Sequence, residues 1–198
     1  MKETWNARYA GTEFIYGMEP NQFLKHELSK ITPGKILFLG EGEGRNAVYA
    51  ATLGWDVDAV DYSASGKVKA EILAVEKGVT INYCDEDLST YIPKQNYYNA
   101  IVLIYLHLEE ELREKVHQKA LESLKPGGKI IFEAFEKEQI KNNSGGPKNT
   151  DLLYSLQDIV EDFIELEFEK FSKEKVILNE GTGHSGEGII IRFIGTRL

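Results

Sequence analysis

The sequence predicts an α/β fold in which helices cover both faces of a mostly parallel, doubly wound sheet with an antiparallel C-terminal strand. Three observations predict it. Apolar strand-like runs alternate with helix-like segments from residue 35 to residue 135. The connections between them are short, which favours right-handed crossovers between parallel strands. After residue 165 the chain is strand-like again, and no helix separates its last two runs, so we expect these two to pair antiparallel.

The elements follow one another with clear stop signals. Gly54 and Gly78 directly follow two predicted helices and are typical helix ends. The predicted strands are 35–39, 56–60, 79–83, 100–106, 129–135, 165–171, 175–179 and 188–195. The predicted helices are 21–29, 45–53, 64–77, 109–124 and 155–163. We expect one domain over 1–198, with an N-terminal lid in 1–34 and the core in 35–198.

Composition restricts the function classes. The net charge is −9 with a pI near 5.1, and no Lys/Arg cluster offers the basic patch that nucleic acid requires. The single cysteine, Cys84, excludes an internal disulfide and fits a reducing compartment. No apolar run has the length of a membrane span, and the N-terminus lacks a signal-peptide pattern. We therefore expect a cytoplasmic protein that binds neither nucleic acid nor membrane.

The most informative segment is KILFLGEGEGRNA, residues 35–47, in which an apolar strand runs into Gly40, Gly42 and Gly44 and then into a helix. Glycine has no Cβ, so a nucleotide-like cofactor can lie against the main chain. We expect free N–H groups at the start of the helix to face the same spot. A tight turn needs fewer than three alternate glycines, so the segment predicts a cofactor-binding loop.

The glycines alone leave two cofactors open. Gly42-x-Gly44-x-x-Ala47 matches the dinucleotide fingerprint, and Asp61 stands 19 residues beyond Gly42, where an acid binds a ribose diol. This favours an NAD-dependent oxidoreductase. Gly40-x-Gly42-x-Gly44 favours instead a Rossmann-like, class I S-adenosylmethionine-dependent methyltransferase. Both cofactors carry an adenosine ribose, so Asp61 does not discriminate, and it is also able to cap the next helix.

Three features favour the methyltransferase: about 34 residues before the first strand, an acid at Asp87 after strand three, and a terminal β pair without a separate substrate domain. Over essentially its whole length the chain resembles the bacterial methyltransferases grouped with tellurite-resistance and thiopurine S-methyltransferase-like enzymes. The motifs that carry the resemblance are Trp5-x-x-Arg8-Tyr9 with Tyr16-Gly17-x-Glu19-Pro20-Asn21, Gly40-Glu41-Gly42-Glu43-Gly44-Arg45-Asn46-Ala47, Tyr105-Leu106-His107-Leu108, and Glu180-Gly-x-Gly-His184-Ser-Gly186.

The resemblance implies S-adenosylmethionine as cofactor and assigns its contacts. It implies contact with the loop residues Gly40, Glu41, Gly42, Gly44, Arg45 and Asn46. It places the ribose at Asp61 with its neighbours Tyr62 and Ser63, the adenine at Asp87 and Leu88, and the methionine arm near Tyr105. Many class I methyltransferases have an acid two residues before the first glycine, where this chain has Phe38. We expect Glu41 or Glu43 to replace it at the cofactor's amino group.

Several residues are candidates for the acceptor side. Trp5, Arg8, Tyr9, Phe14 and Tyr16 form an aromatic, cationic cluster that we interpret as a lid. In this lid Trp5 and Tyr16 face the cofactor sulfonium, while Arg8 and Tyr9 bind the acceptor. The alternative is an N-terminal arm that packs on the sheet edge. The polar segment 142–148 is either a mobile active-site loop or a surface loop, and the resemblance favours the former.

His107, at the end of strand four, and His184, in a glycine-rich loop, are the candidate catalytic residues. The alternative for His107 is a packing or hydrogen-bonding role. We expect no metal, because the histidines and the lone cysteine lack a metal-ligand spacing.

The resulting hypothesis is methyl transfer from S-adenosylmethionine to a small molecule, with a thiol or chalcogen oxyanion as the acceptor that the resemblance implies. The alternatives are an NAD-dependent oxidoreductase and a non-catalytic S-adenosylmethionine-binding regulator.

Overall fold

The structure, a computed structural model, describes residues 2–198. The strands are β1 Lys35–Leu39, β2 Asp56–Val60, β3 Asn82–Cys84, β4 Tyr98–Ile104, β5 Leu124–Phe135, β6 Leu166–Glu180 and β7 His184–Arg197. The helices are α1 Lys2–Tyr9, α2 Gln22–Leu28, α3 Arg45–Thr52, α4 Ala64–Glu76, α5 Glu110–Ser123 and α6 Leu156–Asp162, with short 3-10 helices at Lys137–Lys141 and Thr150–Leu152.

The seven strands form one sheet in the order β3-β2-β1-β4-β5-β7-β6. Strands β1 to β5 run parallel, and β7 lies antiparallel between β5 and β6. The strand order reverses between β1 and β4, which opens a crevice at the carboxyl ends of these two strands. The predicted fold class is confirmed.

The C-terminal hairpin differs from the prediction of three separate strands. The predicted strands 165–171 and 175–179 merge into one continuous strand, β6, from Leu166 to Glu180, because Ser172, Lys173 and Glu174 pair with residues 190–192 of β7. These three side chains are polar and interrupt the hydrophobic pattern, but the ladder is made by backbone groups and continues through them. The sequence pattern also misses α1, and it starts β5 at residue 129 where the structure starts it at Leu124.

The sheet is covered on both faces, which explains its continuous apolar strands. In β1, Ile36 and Phe38 pack on the side of α2 and α3, while Leu37 and Leu39 pack on the side of α5 and α6. Phe38 is fully buried. The position where many class I methyltransferases have an acid therefore belongs to the hydrophobic core of this chain. None of the helices within residues 2–198 is both long and apolar enough to cross a membrane.

Candidate cofactor and acceptor site

The glycine loop after β1 has a conformation that only glycine accommodates. Gly42 and Gly44 both have positive φ, at 63° and 88°. A Cβ on Gly44 would lie 2.3 Å from the Ala70 Cβ, and one on Gly42 would lie 2.8 Å from the Tyr9 hydroxyl oxygen. The Gly40 N–H donates to the Val60 carbonyl at the end of β2 over 2.8 Å. The loop is therefore packed closely against α4, α1 and the end of β2.

The start of α3 is already capped by the protein itself. The Glu41 carboxylate accepts hydrogen bonds from the Asn46 and Ala47 N–H groups at 2.9 and 2.7 Å. The expectation that these N–H groups are free for the cofactor is wrong, because the loop folds back and brings Glu41 over the helix N-terminus. Desolvation raises the pKa of Glu41 to about 8, although the two amide donors oppose this shift.

The Glu43 carboxylate is also bound by protein groups, one in the N-terminal segment and one in α4. It accepts from the Ile15 N–H at 2.9 Å and lies 2.7 Å from the Lys69 ammonium in a buried ion pair. Glu41 and Glu43, the two candidates for binding the cofactor's amino group, thus both hold protein contacts. That role for Glu41 or Glu43 stays a prediction, and binding there requires exchange of one of these contacts.

Asp61, at the end of β2, lies directly against the glycine loop. Its two carboxylate oxygens accept from the Gly42 N–H at 3.1 Å and from the Ser63 N–H at 2.8 Å. Burial raises its pKa above the ordinary value, whereas the two amide hydrogen bonds lower it. The neighbouring Tyr62 is only half-buried. From the next strand, the Tyr83 hydroxyl donates to the Gly42 carbonyl at 2.6 Å, so two strands hold the loop.

The residues expected at the adenine lie further along the same edge. Asp87 is exposed, and its carboxylate accepts from the Ser89 N–H at 2.8 Å. This hydrogen bond lowers the pKa of Asp87, so the group carries a negative charge. Leu88 beside it is buried. The structure therefore gathers the glycine loop, Asp61, Asp87 and Leu88 along the carboxyl ends of β1, β2 and β3.

Helix α1 packs across this edge. The Ser63 hydroxyl donates to the Asn6 side-chain oxygen at 2.8 Å, which docks α1 on the start of α4. The Tyr9 and Trp5 ring centres lie 5.3 Å apart, and the Arg8 guanidinium lies 4.8 Å from the Trp5 ring centre. Arg8 also donates to the Tyr16 hydroxyl at 3.3 Å. The residues assigned to the lid are therefore brought together beside the glycine loop, and their roles stay predictions.

On the other side of the crevice, aromatic rings surround Tyr105. This residue follows β4 with a φ of 53°, which is strained for a non-glycine residue. Its N–H donates to the Glu133 carbonyl at 2.7 Å. Its ring centre lies 4.3 Å from that of His184 and 4.7 Å from that of Phe135, and Tyr16 lies 4.5 Å from His184 on the N-terminal side. We call Tyr16, Tyr105, Phe135 and His184 the aromatic cluster.

His184 is buried at the start of β7, and its Nδ1 lies 2.9 Å from the Glu180 carboxylate. Burial lowers the pKa of His184, and Glu180 opposes that shift. The loop 142–148 packs against the ring, since a Cβ on Gly145 would lie 2.5 Å from the His184 Cδ2. The Ser185 N–H donates to the Ser144 carbonyl at 2.9 Å and ties the same loop to β7. The loop therefore lies at the candidate site.

His107 has a different environment. Its Nδ1 lies 2.7 Å from the Leu152 carbonyl, and its Nε2 accepts from the Phe135 N–H at 3.5 Å. Burial lowers the pKa of His107 to about 4, so the ring is neutral and Nδ1 carries the hydrogen. Both nitrogens are bound to backbone groups, as the packing alternative expects. Its catalytic role stays a prediction that requires one of these hydrogen bonds to open.

Sequence reasoning missed a buried network of charged and polar groups behind the aromatic cluster. The Asn21 amide donates to Glu133 at 2.6 Å and to Glu180 at 3.0 Å. Arg192 forms ion pairs with Glu133 and, at 2.7 Å, with Glu174. Glu133 interrupts the otherwise apolar end of β5. An acid inside an apolar strand is the sequence signal that could have indicated a buried polar network here. Nothing in the local pattern gave its partners.

The residues present fit an adenosyl cofactor: a loop after β1 with glycines at 40, 42 and 44 in positive-φ conformations, a buried acid at the end of β2 and an ionised acid after β3. Within residues 2–198 no group of three or more His, Cys, Asp or Glu side chains is arranged to hold a metal ion.

Residues 36–128 match the methyltransferase domain family. The protein is an S-adenosylmethionine-dependent methyltransferase. This decides between the two interpretations of the glycine motif, and the NAD-dependent alternative is set aside. The domain has the class I architecture, with the strand-order reversal between β1 and β4 that forms its crevice.

Solved structures with the same fold cover nearly the whole methyltransferase chain. TehB from Haemophilus influenzae is 18% identical with a TM-score of 0.75, covering 100% of this chain and 67% of that chain. The N-methyltransferase NodS from Bradyrhizobium japonicum WM9, in complex with S-adenosyl-L-homocysteine, is 13% identical with a TM-score of 0.74, covering 98% and 97%. A structure concerning conversion of a disulfide bond into a thioacetal group during echinomycin biosynthesis is 15% identical with a TM-score of 0.80, covering 100% and 93%. At these identities the likeness shows the fold alone.

Proposed function

We propose that this methyltransferase acts on a small molecule whose nucleophile is a thiol or a chalcogen oxyanion, as in the tellurite-resistance and thiopurine S-methyltransferase-like group. The observation that carries the proposal is the enclosure of the aromatic cluster at the carboxyl ends of β4 and β5. Three segments cover it: residues 13–17, 142–148 and 180–184.

The covering segments are packed together closely. The Gly183 N–H donates to the Ile15 carbonyl at 2.9 Å, and a Cβ on Gly183 would lie 2.3 Å from the Tyr16 ring. An acceptor that reaches His184 must fit beneath these segments, which favours a small molecule over a protein or nucleic acid. The net charge of −9 supports the same conclusion for nucleic acid.

The proposed acceptor chemistry depends on what the protein has to contribute to methyl transfer beyond the chemistry of its cofactor. When bound, S-adenosylmethionine supplies a methyl group that is already electrophilic on a sulfonium sulfur. The protein therefore has to orient the acceptor, which contributes at most about 7–11 kcal/mol to the barrier reduction. The faces of Tyr16 and Tyr105 favour a nearby cationic centre. Arg8 provides a positive charge for an anionic acceptor.

A neutral thiol also has to lose a proton. With Nδ1 of His184 facing Glu180, its Nε2 is the nitrogen that accepts a proton from such an acceptor. A chalcogen oxyanion already carries the negative charge and needs no base. One of the similar structures concerns sulfur chemistry by its name, the disulfide-to-thioacetal study, whereas NodS is an N-methyltransferase and makes amines the competing class.

The proposal is tested by measuring S-adenosyl-L-homocysteine formed from benzyl mercaptan, benzylamine and tellurite. The first two probes share a benzyl group and differ in the nucleophilic atom. We expect turnover with benzyl mercaptan or tellurite at a rate about tenfold or more above that with benzylamine, a difference of about 1.4 kcal/mol in barrier. Turnover of benzylamine alone would overturn the thiol or chalcogen assignment. Tight binding of S-adenosyl-L-homocysteine without turnover of any of the three probes would also overturn the thiol or chalcogen assignment.

A further inference from the structure

The Glu180 carboxylate lies where three donors converge. Its Oε2 is 2.9 Å from the His184 Nδ1 and 3.1 Å from an Arg45 guanidinium nitrogen, and its Oε1 accepts from the Asn21 amide at 3.0 Å. The Glu180 side chain is only 12% exposed. An ionised carboxylate with three donors in a buried site is held in one orientation.

This contact fixes the state of the His184 ring. A carboxylate at Nδ1 favours the neutral form with hydrogen on Nδ1, and Nε2 then carries the lone pair. Within the part of the chain that the structure describes, the ring makes no hydrogen bond other than the one with Glu180. Nε2 is therefore the nitrogen available to a substrate.

We infer that Glu180 is a positioning residue for methyl transfer, which holds His184 with Nδ1–H toward the carboxylate and leaves Nε2 to accept the proton of a neutral acceptor. The inference rests on the proposed function for its chemistry, because only an acceptor with a proton needs the base. Its structural part, the tautomer of His184, stands independently of any acceptor.

Arg45 extends the arrangement to the glycine loop. It directly follows Gly44, and the same guanidinium that reaches Glu180 also donates to the Tyr16 carbonyl at 3.1 Å. Arg45, expected from the sequence to contact the cofactor, thus directs its side chain toward the acceptor side. One arginine connects the cofactor loop, a covering segment and the carboxylate that orients His184.

The other charged and titratable groups around His184 do not replace Glu180. From β5, Glu133 is bound by Arg192 and by Asn21. The remaining titratable groups that face the ring are Tyr105 after β4, Tyr16 from the N-terminal segment, Arg45 from α3 and His107. Hydrogen bonds from His184 and Arg45 and the charge of Arg45 hold the pKa of Glu180 at about 2, against the effect of burial, so this carboxylate is ionised near neutral pH.

The direct test is the ¹⁵N NMR spectrum of the histidine rings in the full chain. Four histidines are present, and His184→Gln assigns the signal by its disappearance. In the wild-type protein near neutral pH we expect His184 to be neutral with hydrogen on Nδ1. A wild-type ring with hydrogen on Nε2 overturns the inference, and this result does not require any variant to fold.

Glu180→Gln then tests the cause. The amide has nearly the same shape but no charge, and its NH₂ group meets the donors of Arg45 and Asn21. We expect the His184 tautomer to become mixed and its pKa to fall by about one unit or more, since an adjacent carboxylate favours the charged ring. Glu174→Gln, the same change on the same strand beside Arg192, is the matched control and leaves the His184 signal unchanged. An unchanged His184 signal in Glu180→Gln overturns the inference.

Kinetics separate a positioning role from a merely structural one. In Glu180→Gln we expect kcat for benzyl mercaptan to fall about tenfold or more, with little change in KM, in tellurite turnover or in calorimetric binding of S-adenosyl-L-homocysteine. Equal losses with both acceptors indicate a structural role and overturn the inference. If the wild-type enzyme methylates no thiol, the proposed function fails, and the tautomer measurement still decides what Glu180 does to His184.

Discussion

The two sides of the crevice are held together by different means. On the side of β1, β2 and β3, carboxylates bind backbone N–H groups: Glu41 caps α3, and Asp61 holds Gly42 and Ser63. On the side of β4, β5 and β7, side chains bind side chains through the buried Glu133 and the partly buried Glu180 and Arg192. The first arrangement is encoded by short segments, whereas the second exists only after distant segments meet.

The two sides also differ in how far apart in the sequence their hydrogen-bonded residues lie. Gly42 and Asp61 are 19 residues apart. Asn21 is 112 residues from Glu133 and 159 residues from Glu180, yet it binds both. A substitution that breaks contacts on the side of β4, β5 and β7 is therefore expected to destabilise several distant segments at once, whereas one on the side of β1, β2 and β3 is expected to act more locally.

The largest effect is expected for Arg192→Met, which leaves Glu133 fully buried without its counter-charge. Breaking a buried ion pair in this way costs about 3–5 kcal/mol of unfolding free energy. Urea unfolding measures it. The double variant Glu133→Gln/Arg192→Met removes both charges and is expected to be markedly more stable than Arg192→Met. If the double variant is no more stable, the buried charge is not the cause.

The next effect is expected for Gly44→Ala on the cofactor side. The new Cβ would lie 2.3 Å from the Ala70 Cβ and 2.7 Å from its Cα, so the backbone of α4 must shift in addition to the strain at positive φ. We expect a loss of about 3 kcal/mol, measured by urea unfolding. Gly54→Ala is the matched control, with a φ of 89° and no atom within 4 Å, and is expected to lose about 1 kcal/mol. Equal losses would mean that the contact with α4 is unimportant.

A pH dependence follows from the buried His107. Burial lowers the pKa of His107 from 6.5 to about 4. Between these pH values the His107 ring is therefore protonated in the unfolded chain and neutral in the folded chain. Stability is lost as the pH falls from 6.5 to about 4, by up to about 3 kcal/mol. In His107→Asn the unfolding free energy is expected to vary less with pH across this window than in the wild type, as measured by urea unfolding at several pH values. An unchanged slope in His107→Asn contradicts the prediction.

The smallest effect is expected for Asp61→Asn, which retains a hydrogen-bond acceptor for one backbone amide and loses the charge. Binding of S-adenosyl-L-homocysteine, measured by calorimetry, is expected to weaken by about 1.5–3 kcal/mol, the scale of a lost charged hydrogen bond. Asp85→Asn, an exposed acid at the end of the neighbouring strand, is the control and leaves the affinity unchanged. Unchanged affinity in Asp61→Asn removes this residue from the ribose role.

Local sequence patterns were sufficient to predict the structure of segments whose residues interact mainly with near neighbours in the chain. The strands 35–39 and 56–60 and the glycine loop between β1 and α3 were predicted with their observed bounds, because apolar runs and glycine are local signals. The predicted break in β6 failed because Ser172–Glu174 are paired through their backbone with β7. Residues 2–9 were not recognised as a helix because their apolar residues show no clear helical face.

The sequence by itself determined the α/β class, the glycine loop and the edge of the sheet at which Asp61 and Asp87 lie, since these depend on hydrophobic period and on glycine and acid positions next to strand ends. Only the tertiary structure decided that Glu41 occupies the helix N-terminus, that Glu43 binds Ile15 and that Glu180 orients His184. A carboxylate binds whichever donors folding brings within about 3 Å, and no local pattern specifies those donors when they come from distant segments.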